Sequence, residues 1–285
     1  GVVCTDWGVI SRTGPLREDL VNLPLKERYK MSIDAGVDQF GSETDPAPVI
    51  ELVKEGRISQ ERINQAASRI LRWHFLLGLF ENPYVDPEAA PKIVRSERNQ
   101  KLGYQAQLKS IVLLANNKLL PLPEKVQNRR ARVFVSGLDE NIVRQYADVA
   151  SDPKQADFAL LRVESVRGGF RPGAEAEEVS IEFPAETMAE IRKITETGVP
   201  TAVAVNLGST LVVLPKELLS SARATLMTFD VVDSALLDVV FGRFKPAGKL
   251  PFELPSSMEA VRNQKEDVPF DSRDPLFKFG FGLTY

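Results

Sequence analysis

The chain has 285 residues, with 36 Lys and Arg against 39 Asp and Glu, for a formal net charge of -3. Without a basic excess no nucleic-acid partner is expected, because phosphate binding runs on clustered Lys and Arg. No apolar run approaches the ~18 residues that a membrane span needs. One cysteine, Cys4, excludes an internal disulfide framework and a multi-Cys metal site, and one histidine, His74, argues against a His-rich metal centre or a Ser-His-Asp triad. Chemistry here falls mainly to carboxylates.

The first element is Gly1-Val2-Val3-Cys4-Thr5, a short β-branched run ended by Asp6 and Gly8. It reads as a strand buried on both faces, as in a parallel sheet, with Cys4 as inert core. A buried strand at residue one has an open edge and uncovered faces, so sequence upstream of Gly1 is expected. Residues 25–35 read as a helix and 35–41 as a second strand. Residues 46–56 form a helix with Val49, Ile50, Leu52 and Val53 on one side, closed by Gly56. Ser59 then serves as an N-cap. Ile63, Ala66, Ala67, Ile70, Leu71, His74 and Phe75 recur at helical spacing to about residue 77. Residues 81–96 carry Pro83, Pro87 and Pro91 and read as a linker.

A helix follows from residue 96 to about 112, then an extended stretch over 119–123. Beyond it strands at 132–137, 157–163, 200–206 and 222–229 alternate with helices at 140–150, 184–197 and 232–241. Pro184 falls in the first turn of the second of these helices. The alternation predicts a mostly parallel sheet with helices on both faces. No G-x-G-x-x-G or G-x-x-x-x-G-K-[ST] follows any of these strands. The long polar loop 165–183 leaves the carboxyl end of a strand, where open α/β sheets place functional groups.

Three sets of residues are candidates for chemistry. Asp6 ends an apolar strand and precedes Trp7; an indole can stack on a sugar ring while a carboxylate attacks the anomeric carbon. The plain alternative is a turn cap beside a core tryptophan. The loop carries Glu175, Glu177 and Glu178, with Glu164 at the strand end before it. Crowded carboxylates can keep one proton and supply a general acid, or they form a solvated charge run. Asp38 and Glu43 follow the second strand and are expected beside Asp6 in one cleft, or as acids at a helix N-terminus. His74 reads as a packing residue.

In order along the chain, several stretches resemble glycoside hydrolase family 3, the β-glucosidase and β-xylosidase family. Gly1 to Gly8, GVVCTDWG, resembles its nucleophile motif, and Ala35-Gly36-Val37-Asp38 the strand after it. Gly56-Arg57-Ile58-Ser59 through Arg69-Ile70-Leu71-Arg72, then Leu77-Gly78-Leu79-Phe80, resemble the end of a barrel. Ser110-Ile111-Val112-Leu113-Leu114 with Leu120-Pro121-Leu122 resembles the entry to a second domain. Pro246-Ala247-Gly248-Lys249-Leu250-Pro251-Phe252 and Phe279-Gly280-Phe281-Gly282-Leu283-Thr284-Tyr285 are similar to its end.

The resemblance implies an α/β fold: the C-terminal remnant of a (β/α)8 barrel over residues 1–80 (strands 7 and 8 with their helices), a linker over 81–102, and a mostly parallel α/β sandwich domain over 103–285. It implies a retaining, exo-acting β-glycoside hydrolase working on β-linked oligosaccharides or glycosides, with no metal and no cofactor. Asp6 is then the nucleophile, and Trp7 and Glu43 are substrate-binding. The acid/base Glu comes from the 165–183 loop, Glu177 first and Glu175 second, although that loop departs from the family's usual pattern. Glu164 sits closer to the strand and reaches less far. Family members hold the sugar hydroxyls with upstream residues, so an upstream barrel half, in the same or a separate chain, is the expected partner. Without it the chain is expected to be inactive. Members are often periplasmic or secreted. The alternative is a non-catalytic carbohydrate-binding or structural module.

Overall fold

The computed structural model describes residues 1–11, 22–165, 180–208, 211–265 and 267–285. They form two compact units that part between Lys92 and Ile93. The first holds strand β1 (Cys4–Trp7), helix α1 (Leu25–Asp34), strand β2 (Gln39–Gly41), and helices α2 (Ala47–Lys54) and α3 (Gln60–Leu76). β1 and β2 pair in parallel as a two-stranded sheet. A small core gathers Ile10, Tyr29 and Ile33, Leu52 and Ile58, with Tyr29 edge-on to Phe40 at 4.8 Å. The expected punctuation is present. Gly56 turns at φ +71° after α2, where a side chain would be strained. The Ser59 hydroxyl accepts the Arg62 N–H at 3.1 Å and starts α3.

Two expectations fail in this unit. β1 is not buried: Cys4, Asp6 and Trp7 are exposed, and the Cys4 thiol is no core residue. A parallel strand is covered only when neighbours flank it, and β2 is its one partner among the described residues. The apolar stripe of α3 is covered only in part: Ile63 packs on the small core, and Ala66 and Ile70 are half-buried. No α3 residue is buried, and Phe75 and Leu76 stand well out in solvent. His74 is half-buried, its Nδ1 3.1 Å from the Ile70 carbonyl.

Helix α4 (Ala90–Val94) spans the boundary, and α5 (Glu97–Ser110) opens the second unit. Strand β3 (Val112–Asn116), the hairpin of β4 (Lys125–Val126) and β5 (Arg129–Arg130), and β6 (Arg132–Ser136) follow. Then come α6 (Glu140–Val143), β7 (Asp148–Ala150) and β8 (Phe158–Glu164). The remainder is α7 (Ala185–Thr195), β9 (Thr201–Asn206), α8 (Lys216–Ser221), β10 (Ala224–Thr228), α9 (Asp233–Val240) and α10 (Met258–Arg262). The six-stranded sheet runs β3-β10-β9-β8-β6-β7, with only β3 antiparallel. One face packs Leu108, Leu236, Leu237 and Val240 on Val133, Leu160 and Leu226. The other packs Met188, Ile191 and Leu218 on Leu161, Val203, Val205 and Met227. Burial on both faces explains the uninterrupted apolar run of β9, every residue of which is buried. The fold is thus mixed α/β with a mostly parallel central sheet.

Here too the structure amends the reading. β3 begins where the 96–112 helix was expected to end. The expected 140–150 helix stops at Val143; the Asp148 N–H then bonds the Ala131 carbonyl at 2.8 Å and the chain enters β7. Pro184 is the N-cap of α7 and not its first residue. None of the described helices is long and apolar enough to cross a membrane.

Candidate active site

Asp6 lies in an irregular stretch of β1. Cys4 pairs with Gln39 and Trp7 with Gly41, so three steps on β1 match two on β2. An extra residue of this kind bends a strand and re-aims its side chains, as bulges beside active sites do. Glycine is required opposite: a Cβ on Gly41 would lie 2.8 Å from the Thr5 carbonyl oxygen and 2.9 Å from that of Asp6. The Gly41 N–H donates to Thr5 Oγ1 at 2.9 Å, and the Gly8 N–H to the Gly41 carbonyl at 3.1 Å. Asp6 Oδ1 accepts the Trp7 N–H at 2.7 Å, and among the described residues nothing else holds this carboxylate. The Trp7 side chain follows it, with the residue 78% exposed. The pair therefore presents an open carboxylate next to an open indole.

Asp38 does something else. Its side chain has no exposed surface. Oδ2 accepts the Val3 N–H at 3.1 Å; Arg69 Nη1 reaches Oδ1 at 2.9 Å and Oδ2 at 3.1 Å, and Arg62 Nη1 reaches Oδ1 at 3.1 Å. Burial opposes its ionisation, but the Val3 amide and the two guanidiniums outweigh it and hold the carboxyl below its ordinary range. Glu43 accepts the Ser11 N–H at 2.9 Å and the Tyr29 hydroxyl at 3.4 Å. Burial, and then the Glu43 charge, push the Tyr29 hydroxyl up. Asp38 and Glu43 do share a groove of about 530 Å³ with Tyr29, Phe40, Arg62 and Ile70, but Asp6 and Trp7 are not among its lining residues. The single cleft expected for Asp6, Asp38 and Glu43 is not formed by the described residues.

In the second unit the parallel strands, numbered in chain order, lie 2-1-3-4-5. In such sheets ligand-facing groups gather at the carboxyl ends of the strands. There Asn206, ending β9 and almost fully buried, donates from Nδ2 to both Glu164 oxygens at 3.2 and 3.0 Å and to Asp230 Oδ1 at 2.8 Å. Its Oδ1 accepts the Thr228 hydroxyl and the Asp230 N–H, both at 3.0 Å. Beside it Arg162 pairs with Asp233 at 2.8 Å, and Asp233 also accepts the Asp139 N–H. Glu164 is thus tied into a hub at the foot of the 165–183 segment. Glu175 and Glu177 lie outside the described residues. Among the described residues no three His, Cys, Asp or Glu gather as a metal site.

Sequence reading missed Asn206, Asp230, Arg62 and Arg69. Asn206 carried a usable signal, since it is the polar residue that ends an apolar strand, as Asp6 and Glu164 do. The two arginines carried none, because partners 24 and 31 residues away meet only in the fold.

The glycosyl hydrolase family 3 C-terminal domain matches residues 134–285, more than half of the chain. The chain belongs to that family. It is 41% identical over 297 residues to a probable β-glucosidase C of Aspergillus flavus, covering all of this chain and 46% of that protein. It is 38% identical to a periplasmic β-glucosidase/β-xylosidase of Dickeya chrysanthemi, over 91% of this chain and 39% of the relative. A β-glucosidase of Listeria innocua solved with glucose superposes with a TM-score of 0.69 at 20% identity, over all of this chain and 47% of the other. That likeness speaks for the fold alone. The chain spans about half the length of the curated relatives it matches.

Proposed function

We propose that this chain is the C-terminal portion of a retaining, exo-acting β-glycoside hydrolase of the β-glucosidase or β-xylosidase type. The observation that carries the reading is the exposed Asp6–Trp7 pair set at an irregular strand end. Asp6 attacks the anomeric carbon of a terminal non-reducing β-D-glycosyl residue and forms a glycosyl ester. Trp7 stacks against the sugar. Glu177, or failing it Glu175, protonates the leaving oxygen and then activates the water that releases the sugar. Glu43 belongs to the substrate side of the site; its bond to Ser11 ties down the residues that follow Trp7. Water and two carboxylates complete this chemistry without metal or cofactor. The upstream half of the barrel, in this polypeptide or another, is the partner that reads the sugar hydroxyls. A periplasmic or secreted location accords with the periplasmic relative.

A second reading is a non-catalytic carbohydrate-binding or structural module, and the openness of the two-stranded sheet favours it for the chain taken alone. Hydrolysis of a chromogenic aryl β-glucoside separates the two. With the upstream half in place, wild type turns over and Asp6→Ala loses about 10³-fold or more. Equal rates for the two proteins would remove Asp6 from the mechanism.

A further inference from the structure

We propose that Asp38 is a positioning residue for Asp6: it fixes the strand that carries the nucleophile by clamping the starts of β1 and β2 to α3. The inference rests on the nucleophile reading above. Asp6 is held by the amide of its own neighbour, so its carboxylate sits wherever the β1 backbone puts it. β1 has four residues and, among the described residues, one partner strand. Its placement is fixed at two points. Near Asp6 the Gly41 backbone packs on Thr5 and Asp6. At the other end the Val3 carbonyl accepts the Asp38 and Gln39 N–H groups at 2.8 and 3.1 Å, and the Val3 N–H donates back to the Asp38 carboxylate.

That carboxylate then reaches α3, whose Arg62 and Arg69 both bond it, while Arg62 Nη2 also donates to the Val37 carbonyl at 2.7 Å. One buried anion thus joins two strands to a 17-residue helix. Among the described residues every group bonded to it is a donor, so a carboxylate satisfies the site best. An asparagine of the same shape keeps one acceptor oxygen and turns its own N–H groups toward the guanidiniums or the amide.

The test uses the protein with its upstream barrel half and a 2,4-dinitrophenyl 2-deoxy-2-fluoro-β-glucoside. This probe releases dinitrophenolate as the Asp6 ester forms, so the burst reports the attack itself. Asp38→Asn is expected to slow the burst roughly ten- to a hundredfold, with the probe concentration at half-maximal burst rate and the KM for a chromogenic aryl β-glucoside within about twofold, the scale on which a small misplacement of a reacting group acts. Arg69→Ala, at a half-exposed side chain that leaves Arg62 and the Val3 amide on Asp38, is expected to slow it about threefold to tenfold. It therefore stands in if Asp38→Asn does not fold. A folded Arg69→Ala protein with a wild-type burst, or an Asp38→Asn protein that changes KM alone, overturns the inference. If Asp6→Ala still shows the burst, the nucleophile reading has failed instead. Amide exchange at Val3, Gln39 and Gly41 then decides: at least tenfold faster exchange in the variants supports the clamp, and unchanged exchange refutes it.

Discussion

The two units solve the same problem, a parallel sheet, to very different degrees. In the second, Ala202 to Val205 and Leu226 have no exposed surface, and helices lie on both faces of six strands. In the first, Trp7 on β1 is 78% exposed, Val3 just before that strand 52%, and Phe75 on α3 64%. Two parallel strands do not sustain a sheet in water, and clustered exposed apolar side chains mark an interaction surface. The contrast bears on the proposed nucleophile. Among the described residues the proposed nucleophile is on the less shielded sheet, and the bonds that hold its strand are few and polar.

The widest gap should appear in native-state amide exchange. Amides of β9 and β10 are expected to exchange only through global unfolding, and those of β1 and β2 about 10³-fold faster, through local opening. Equal protection in the two sheets would break the comparison. Side-chain truncation sharpens it next. Leu226→Ala, in a fully buried site between helix and sheet, should cost about 2–5 kcal/mol in urea unfolding. Phe75→Ala, at an exposed position, should stay within about 0.5 kcal/mol.

The same contrast governs what the sequence disclosed. The strands of the second unit were legible because β8, β9 and β10 are apolar runs bounded by polar residues, the mark of a strand covered twice. β3 and β7 were not. Ile111 to Ala115 continues an apolar stretch out of a helix without a break, and Asp148–Ala150 is too short to show a period. In the first unit the run before Asp6 was read as buried for the same reason, but burial is a property of neighbours, which a strand's own residues do not report. Asp6 and Trp7 stood out by chemistry and place. Asp38 stood out only as an acid for the cleft or a helix N-terminus; it stands just before β2, and an acid beside a strand looks alike whether it faces a sugar or two arginines.

Acid should separate the units further. The Asp38 carboxyl lies below its ordinary value of 3.8, because its amide and guanidinium partners outweigh the cost of burying it. Its ionised form therefore stabilises the fold fully above 3.8, and this is lost as the pH falls through the lower folded-state value. Asp157 in the second unit is also depressed, by paired bonds from Arg129 at 2.7 and 2.8 Å and by the Arg132 amide. Below 3.8 each group contributes a slope of at most about 1.4 kcal/mol per pH unit. Asp38→Asn should remove that slope from β1 and β2 exchange while leaving the slope at β6 and β8 intact. A parallel loss in both sheets would mean the clamp is not local to the first unit.

The smallest effect concerns two serine caps. Ser59 accepts the Arg62 N–H at 3.1 Å at the head of α3, and Ser96 accepts the Asn99 N–H at 3.4 Å at the head of α5. A cap contributes about 1 kcal/mol when its bond is good, and less as the bond lengthens. The helices differ in what else holds them. α5 is anchored by buried Leu108 and by the Tyr104 hydroxyl on Asp238 at 2.7 Å, whereas α3 buries no residue and relies on Ile63 and its arginines. Ser59→Ala should therefore lower stability by about 1 kcal/mol, read as faster exchange along the first turn of α3, and loosen the Arg62 bond to Asp38 with it. Ser96→Ala should cost about half as much or less. If Ser96→Ala proves the costlier change, α3 draws its order from something other than its cap and its arginines, and the dependence of Asp6 on polar clamps loses its support.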